Sequence, residues 1–264
     1  MSLLSDIFEI NRRLTNDFWH LKSVHDEPHE LSPRLICPEK RDKKVRISEQ
    51  EAKTLYISIL NGLNYYYSVE TPTSEGYIQK GKKPQSGNTD LSLYKFDYNM
   101  KEFIKAVNVE FKKSPVAEEN IRKDIEKLIR ERTDGAWIHT IENANSNNIH
   151  VLFDKMKSAL KSCKDISCLK NANSFLGKSN DNSKIVKNVS IVFYFYCIEC
   201  RWACMKHFIF SDFKYDNIEA GFLAYIDNFF KIDYKLEDKG KYNVIKIINR
   251  NDWITISHDE YLTL

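Results

Sequence analysis

Two short runs of alternating side chains constrain this chain more than any other feature. One is Asn88-Thr89-Asp90-Leu91-Ser92-Leu93-Tyr94; the other is Ala106-Val107-Asn108-Val109-Glu110-Phe111-Lys112. A period of two belongs to strands, whose successive side chains take opposite faces. The second run therefore sends Val107, Val109 and Phe111 one way and Asn108, Glu110 and Lys112 the other. A carboxylate and an ammonium project side by side from one face. Asp90 joins them if the two strands pair.

The period changes on both sides of these runs. A helix opens at Ser48, where Ser48 and Glu51 have capping-box spacing and Leu55, Ile59 and Leu60 supply an apolar face to residue 61. Tyr65 to Val69 is aromatic and β-branched, as a strand would be. Residues 71–76 read as a turn, Tyr77 to Gln79 as a short strand, and 80–88 as an exposed basic loop. The Asp90 strand follows, and residues 97–105 connect it to the strand of Glu110. Residues 117–132 give the clearest helix, with Ile121, Ile125, Leu128 and Ile129 on one face and Arg122, Lys123, Lys127 and Arg130 largely elsewhere. Trp137 to Ile141 reads as the next strand. The order of helix, three strands, helix and strand predicts an α/β fold with a mixed central sheet flanked by helices.

The ends of the chain are plainer. Residues 3–22 predict an amphipathic helix, with Leu4, Ile7, Leu14, Phe18 and Leu21 at helical spacing, and 23–45 an extended connector holding Pro28, Pro33 and Pro38. Residues 148–162 look helical, and 163–187 form a polar loop. Val189 to Phe210 reads as buried strand, 216–230 as helix, and 242–249 and 252–257 as strands. The expected organisation is an N-terminal helix and connector over 1–45 and one α/β domain over 46–264. That domain has its core at about 46–142 and an elaboration over 143–264.

Composition narrows the class. With 42% apolar residues in 264, the chain can bury a sizeable core. A net charge of +3 is too small to imply nucleic acid, so any basic footprint must be local. The start lacks a basic n-region and apolar core, so no secretory signal is expected. Glu199, Arg201 and Lys206 interrupt the most apolar stretch and argue against a membrane span. Cys37, Cys163, Cys168, Cys197, Cys200 and Cys204 are too sparse for a disulfide scaffold and fit reduced thiols in a cytoplasmic protein. The spacing within Cys197-x2-Cys200 would suit zinc, but buried apolar cysteine is the simpler reading. There is no phosphate-cradling glycine loop and no Gly-x-Ser-x-Gly elbow.

Two carboxylates beside a lysine suit a divalent metal and a water that must attack a phosphate. Mg²⁺ prefers oxygen ligands and usually takes one or two protein carboxylates, with Mn²⁺ as a substitute. Asp90 and Glu110 fit that role, and the backbone carbonyl of Phe111 could add a ligand. Lys112 could orient the water or stabilise charge on the phosphoryl oxygens.

The run Asp90 … Glu110-Phe111-Lys112, in its order of helix, three strands, helix and strand, resembles the signature of the restriction-endonuclease-like, or PD-(D/E)xK, nuclease superfamily. The likeness covers roughly residues 46–142 and includes the helix around Ile121-Arg122-Lys123-Asp124-Ile125-Glu126-Lys127-Leu128. Thr89 stands where the family often has proline. The resemblance implies Asp90 and Glu110 as metal ligands, Lys112 as the catalytic lysine, and an acid of the first core helix, Glu51 or Glu49, as a helper. Glu51 is equally explained by the capping box with Ser48, and Glu70 either faces the metal or is solvated at a turn edge. His139, on the fourth core strand, reads as structural, with a contact to a nearby phosphate as the alternative. Lys80, Lys82 and Lys83 could follow a phosphate backbone into the site, as could Lys123 and Lys127; each set could also be a solvated face.

The expectation is a Mg²⁺-dependent nuclease acting on nucleic acid, with DNA favoured over RNA, away from membranes. The rival from another class is a module on the same fold that has lost chemistry and only binds nucleic acid or protein. A third is an interaction protein in which residues 1–22 and 189–210 build a homodimer, an assembly that would suit a nuclease as well.

Overall fold

The computed structural model describes residues 3–22, 26–27, 33–39, 47–77, 85–142, 146–162, 189–209, 229, 233–238, 243–249 and 254–257. Its helices are α1 (Leu3–Trp19), α2 (Glu49–Gly62), α3 (Glu118–Arg130) and α4 (Ser146–Ser162). Its strands are β1 (Tyr66–Tyr77), β2 (Gln85–Asp97), β3 (Glu102–Lys113), β4 (Asp134–Ile141), β5 (Ser190–Cys197), β6 (Trp202–Ile209), β7 (Asp233–Asp238), β8 (Asn243–Asn249) and β9 (Ile254–Ser257). Seven strands form one mixed sheet in the order β1-β2-β3-β4-β5-β6-β9, and β7 pairs with β8 separately. The pairs β3–β4 and β4–β5 are parallel, and the other pairs of the large sheet are antiparallel. The chain is thus α/β with a mixed sheet, as its periodicity predicts.

Each face of the sheet has its own core. Ile7, Ile10, Leu14 and Phe18 of α1 and Leu55, Tyr56 and Leu60 of α2 cover Leu91, Leu93, Val107, Val109, Phe111, Ile138, Val192, Tyr194 and Tyr196. On the opposite face, Ile121, Ile125 and Leu128 of α3 and Phe153 and Met156 of α4 cover Trp137, Ile191, Phe193 and Phe195. Fully burying one such aromatic side chain contributes about 1.5–3 kcal/mol. Gly135 lets α3 come close: a Cβ there would meet Ile191 Cγ1 at 3.2 Å and Leu128 Cβ at 3.4 Å.

Several boundaries differ from the sequence expectation. Residues 71–76 do not form a turn, since β1 continues through them. Pro72 is tolerated because β1 lies at the edge of the sheet, where a missing N–H costs no ladder bond; the register shifts between Pro72 and Gly76. The connection expected over 97–105 shrinks to Tyr98–Lys101, because Asp97 Oδ1 accepts from the N–H groups of Asn99 and Met100 and closes a tight turn.

The stretch 189–210 is not one strand but an antiparallel hairpin of β5 and β6, with Glu199 and Arg201 in its turn. It and α1 are buried against the chain's own sheet: Phe18 stacks on Tyr196 with ring centroids 4.7 Å apart. The apolar side chains of both are thus covered within the chain. The expected strand over 242–249 is β8, and the one over 252–257 contributes β9. The loop at 163–187 and nearly all of the helix expected at 216–230 lie outside the described residues. Among the described residues no helix is long and apolar enough to cross a membrane.

Candidate active site

The pair Leu91–Val109 fixes the site. One step further along the antiparallel ladder brings Asp90 opposite Glu110, where β2 and β3 stop exchanging ladder bonds. There the Phe111 N–H donates instead to Asp90 Oδ2, at 2.8 Å. The N–H and C=O of one strand residue point toward the same neighbour, so the Phe111 carbonyl also opens toward Asp90. The Phe111 ring turns to the other face and packs edge-on against Tyr56, with centroids 5.4 Å apart.

Asn108, Glu110 and Lys112 do share the face opposite Val107, Val109 and Phe111, and that face lies under α3. Lys112 Nζ is 3.0 Å from Asp124 Oδ2. Lys127 Nζ is 2.6 Å from Glu110 Oε1 and 3.2 Å from Asp124 Oδ1, and it donates to the Asn88 carbonyl at 2.8 Å. From α2, Lys53 Nζ reaches Asp90 Oδ1 at 3.4 Å and also bonds Glu70. Asp90, Glu110 and Asp124 are thus interleaved with Lys53, Lys112 and Lys127, so the inner cluster is balanced in formal charge.

Burial makes this balance consequential. Glu110 is only 1% exposed. Burial raises its pKa well above the ordinary carboxylate value; the Lys127 ammonium opposes the rise, and Asp124 and Asp90 add to it. The register that pairs Leu91 with Val109 sets these two acids across from one another at the end of the ladder. Burial works against the charge on Lys112, yet Asp124 and Glu110, with Glu49 behind them, hold its pKa above the usual lysine value. Lys127 and Lys53 are raised in the same manner, the first by Glu110 and Asp124 and the second by Glu70 and Asp90.

His139 pairs with Lys112 across the β3–β4 ladder and is fully buried. Burial, then the Lys112 charge, lowers its pKa to about 3, and Nε2 lies 2.8 Å from Ser114 Oγ. It is a neutral core imidazole beside the charged row.

The two acids proposed from the first core helix separate. Glu51 is turned away into the capping box, where Oε2 accepts from the Ser48 N–H at 2.7 Å. Glu49 instead faces the site, accepting from the Lys113 N–H at 3.1 Å and acting on Lys112. Glu70 lies within β1 at φ 47° rather than at a turn edge, but its side chain is solvated, 58% exposed, and pairs with Lys53 at the rim of the site. Lys127, expected on a surface face, points inward and is 7% exposed, whereas Lys123 is exposed. Lys80, Lys82 and Lys83 lie outside the described residues. Cys197, Cys200 and Cys204 are buried and form no disulfide among the described residues, and Cys163 and Cys168 fall outside those residues.

Sequence reasoning missed Asp124 and Lys53. Asp124 had a signal: it sits three residues after Ile121 and four before Leu128, within the apolar stripe of α3. A carboxylate in that stripe must be buried against a counter-charge. Lys53 gave no comparable signal, because its partner Asp90 comes from a strand 37 residues on.

Asp90 and Glu110 offer hard oxygen donors from adjacent strands, and their mutual repulsion is the kind a dication relieves. That donor chemistry fits Mg²⁺, which needs no more than one or two protein carboxylates. Among the described residues there is no ready-made group of three or more acidic, histidine or cysteine side chains positioned to hold a metal ion. Comparison with protein families, with curated proteins and with solved structures finds no match.

Proposed function

We propose that this chain is a Mg²⁺-dependent nuclease of the restriction-endonuclease-like class, hydrolysing phosphodiester bonds of DNA. The observation that carries this reading is the strand register that sets Asp90 across from Glu110, one step beyond the Leu91–Val109 pair, with Lys112 and Lys127 beside them. The order α2-β1-β2-β3-α3-β4, with β3 and β4 parallel, supports it. Asp90 and Glu110 would hold the metal, with the Phe111 carbonyl beside them. Bound there, Mg²⁺ would lower the pKa of a water and offset charge on the phosphate. Lys112, fixed by Asp124, presents a positive charge to the phosphoryl oxygens and the attacking water. Glu49 takes the place of Glu51 as the helix acid that acts on Lys112.

The purified chain with Mg²⁺ should cut plasmid DNA, and Lys112→Ala should reduce cutting by about 10²–10³-fold while the fold persists. Unchanged cutting by that variant would remove Lys112 from the chemistry, and no Mg²⁺-dependent cutting by the wild type would remove the nuclease reading.

One observation favours a second reading. Glu110 is sealed beneath α3 and every acid of the inner cluster has a lysine partner. A module that has lost chemistry, and only binds nucleic acid or protein, could keep such a network as structure. Under that reading Asp90→Asn leaves Mn²⁺ affinity unchanged; under the first it weakens it.

A further inference from the structure

Three oxygens close on Lys127 Nζ: Glu110 Oε1 at 2.6 Å, the Asn88 carbonyl at 2.8 Å and Asp124 Oδ1 at 3.2 Å. Two carboxylates and a backbone carbonyl are the donor set a small hard cation takes. Here the chain's own ammonium fills it. The side chain is delivered by α3, which Gly135 allows to settle close on the sheet, and it is only 9% exposed. Lys112 does not share this position, since it is bonded to Asp124 Oδ2 and reaches Glu110 only through space.

We propose that Lys127 is the resident cation of the site and gates the uptake of metal. The inference rests on the reading of Glu110 as a metal ligand. Without metal, Lys127 holds Glu110 and Asp124 together and keeps a buried carboxylate from being stranded. A dication brought to Glu110 would crowd that ammonium in a poorly hydrated cluster already balanced in formal charge. Like charges at close range in low dielectric repel strongly, so metal uptake expels Lys127 Nζ from Glu110. Lys127 therefore sets metal affinity by competition and is a gating residue rather than a catalytic one.

The test is Mn²⁺ titration of the full chain, followed by electron paramagnetic resonance, for wild type, Lys127→Met and Asp90→Asn. Lys127→Met keeps the length of the side chain and removes its charge. It should bind Mn²⁺ at least about tenfold more tightly than wild type, the factor that corresponds to about 1.4 kcal/mol. Its metal-free form should melt below wild type and recover when Mn²⁺ is added. Equal or weaker binding by Lys127→Met, with Asp90→Asn still impaired, overturns the gate and leaves the metal site standing. No Mn²⁺ binding by either wild type or Lys127→Met overturns both. If Lys127→Met does not fold, wild type alone decides the matter. Reductive methylation read by peptide mass spectrometry should modify Lys127 more readily with Mn²⁺ than without, and equal protection in both conditions overturns the proposal.

Discussion

β3 and β5 occupy equivalent places in the sheet, each between two neighbours and each covered on both faces, yet they are built differently. β5 is apolar toward both layers: Ile191, Phe193 and Phe195 meet α3 and α4, and Val192, Tyr194 and Tyr196 meet α1 and α2. This is what a strand buried on both faces in a parallel stretch should look like. β3 matches it only on the α1–α2 side, through Val107, Val109 and Phe111. Toward α3 it carries Asn108, Glu110 and Lys112, two of them essentially without solvent. Burying that row costs desolvation and requires lysines and an aspartate from other elements. A strand evolved only for packing has no need of it. The contrast teaches that stability resides in β5 and that β3 gives some up to hold charge at one place.

The largest effect should come from breaking β5. Phe195 packs edge-on against Phe153 with centroids 5.2 Å apart, and Phe195→Ala should cost about 3–5 kcal/mol in urea unfolding. A loss below about 1 kcal/mol would show that β5 is not the mainstay. The next experiment makes β3 resemble β5. Replacing the Glu110–Lys127 pair together by Leu and Met should leave stability unchanged or raise it by about 1–4 kcal/mol, while abolishing Mn²⁺ binding. If the double variant unfolds more easily than wild type, the pair is a structural asset and the contrast fails.

His139 sharpens the comparison through pH. Its folded pKa of about 3 lies below the ordinary 6.5, so the unfolded chain takes up the proton first. The stability this neutral imidazole contributes is complete above pH 6.5. It falls as the pH drops toward 3, by about 1.4 kcal/mol per pH unit over the range where only the unfolded state is protonated. Equilibrium unfolding between pH 7 and 4 should show that slope reduced in His139→Phe, and an identical slope would place the acid sensitivity elsewhere. The smallest effect belongs to the helix start. Ser48→Ala removes the side chain that caps α2 and should cost about 1 kcal/mol; the backbone N–H of residue 48 still holds Glu51, so cutting should be unchanged, and a loss as large as that of Lys112→Ala would return this helix start to the site.

Local pattern carried much of this protein. The switch between periods of 3.6 and two marked α2, β3 and α3, because each turns one apolar face to the core and must repeat accordingly, while β4, buried on both faces, shows only as a short run. It could not separate the β5–β6 hairpin, since β5 and the start of β6 are apolar and only Glu199 and Arg201 divide them. The residues 71–76 looked like a turn by composition, and only their place at an open sheet edge made Pro72 acceptable in a strand.

Asn108, Glu110 and Lys112 share a face, and Ser48 and Glu51 open a helix, for reasons written along the chain, because strand alternation and capping are local geometry. Tertiary structure alone decided that α3 lies over that face, that Lys127 turns inward to Glu110, and that Glu49 rather than Glu51 looks toward Lys112. Those outcomes depend on how closely one layer settles on another and on which buried charge finds which counter-charge. Such long-range electrostatics leave no period in the chain.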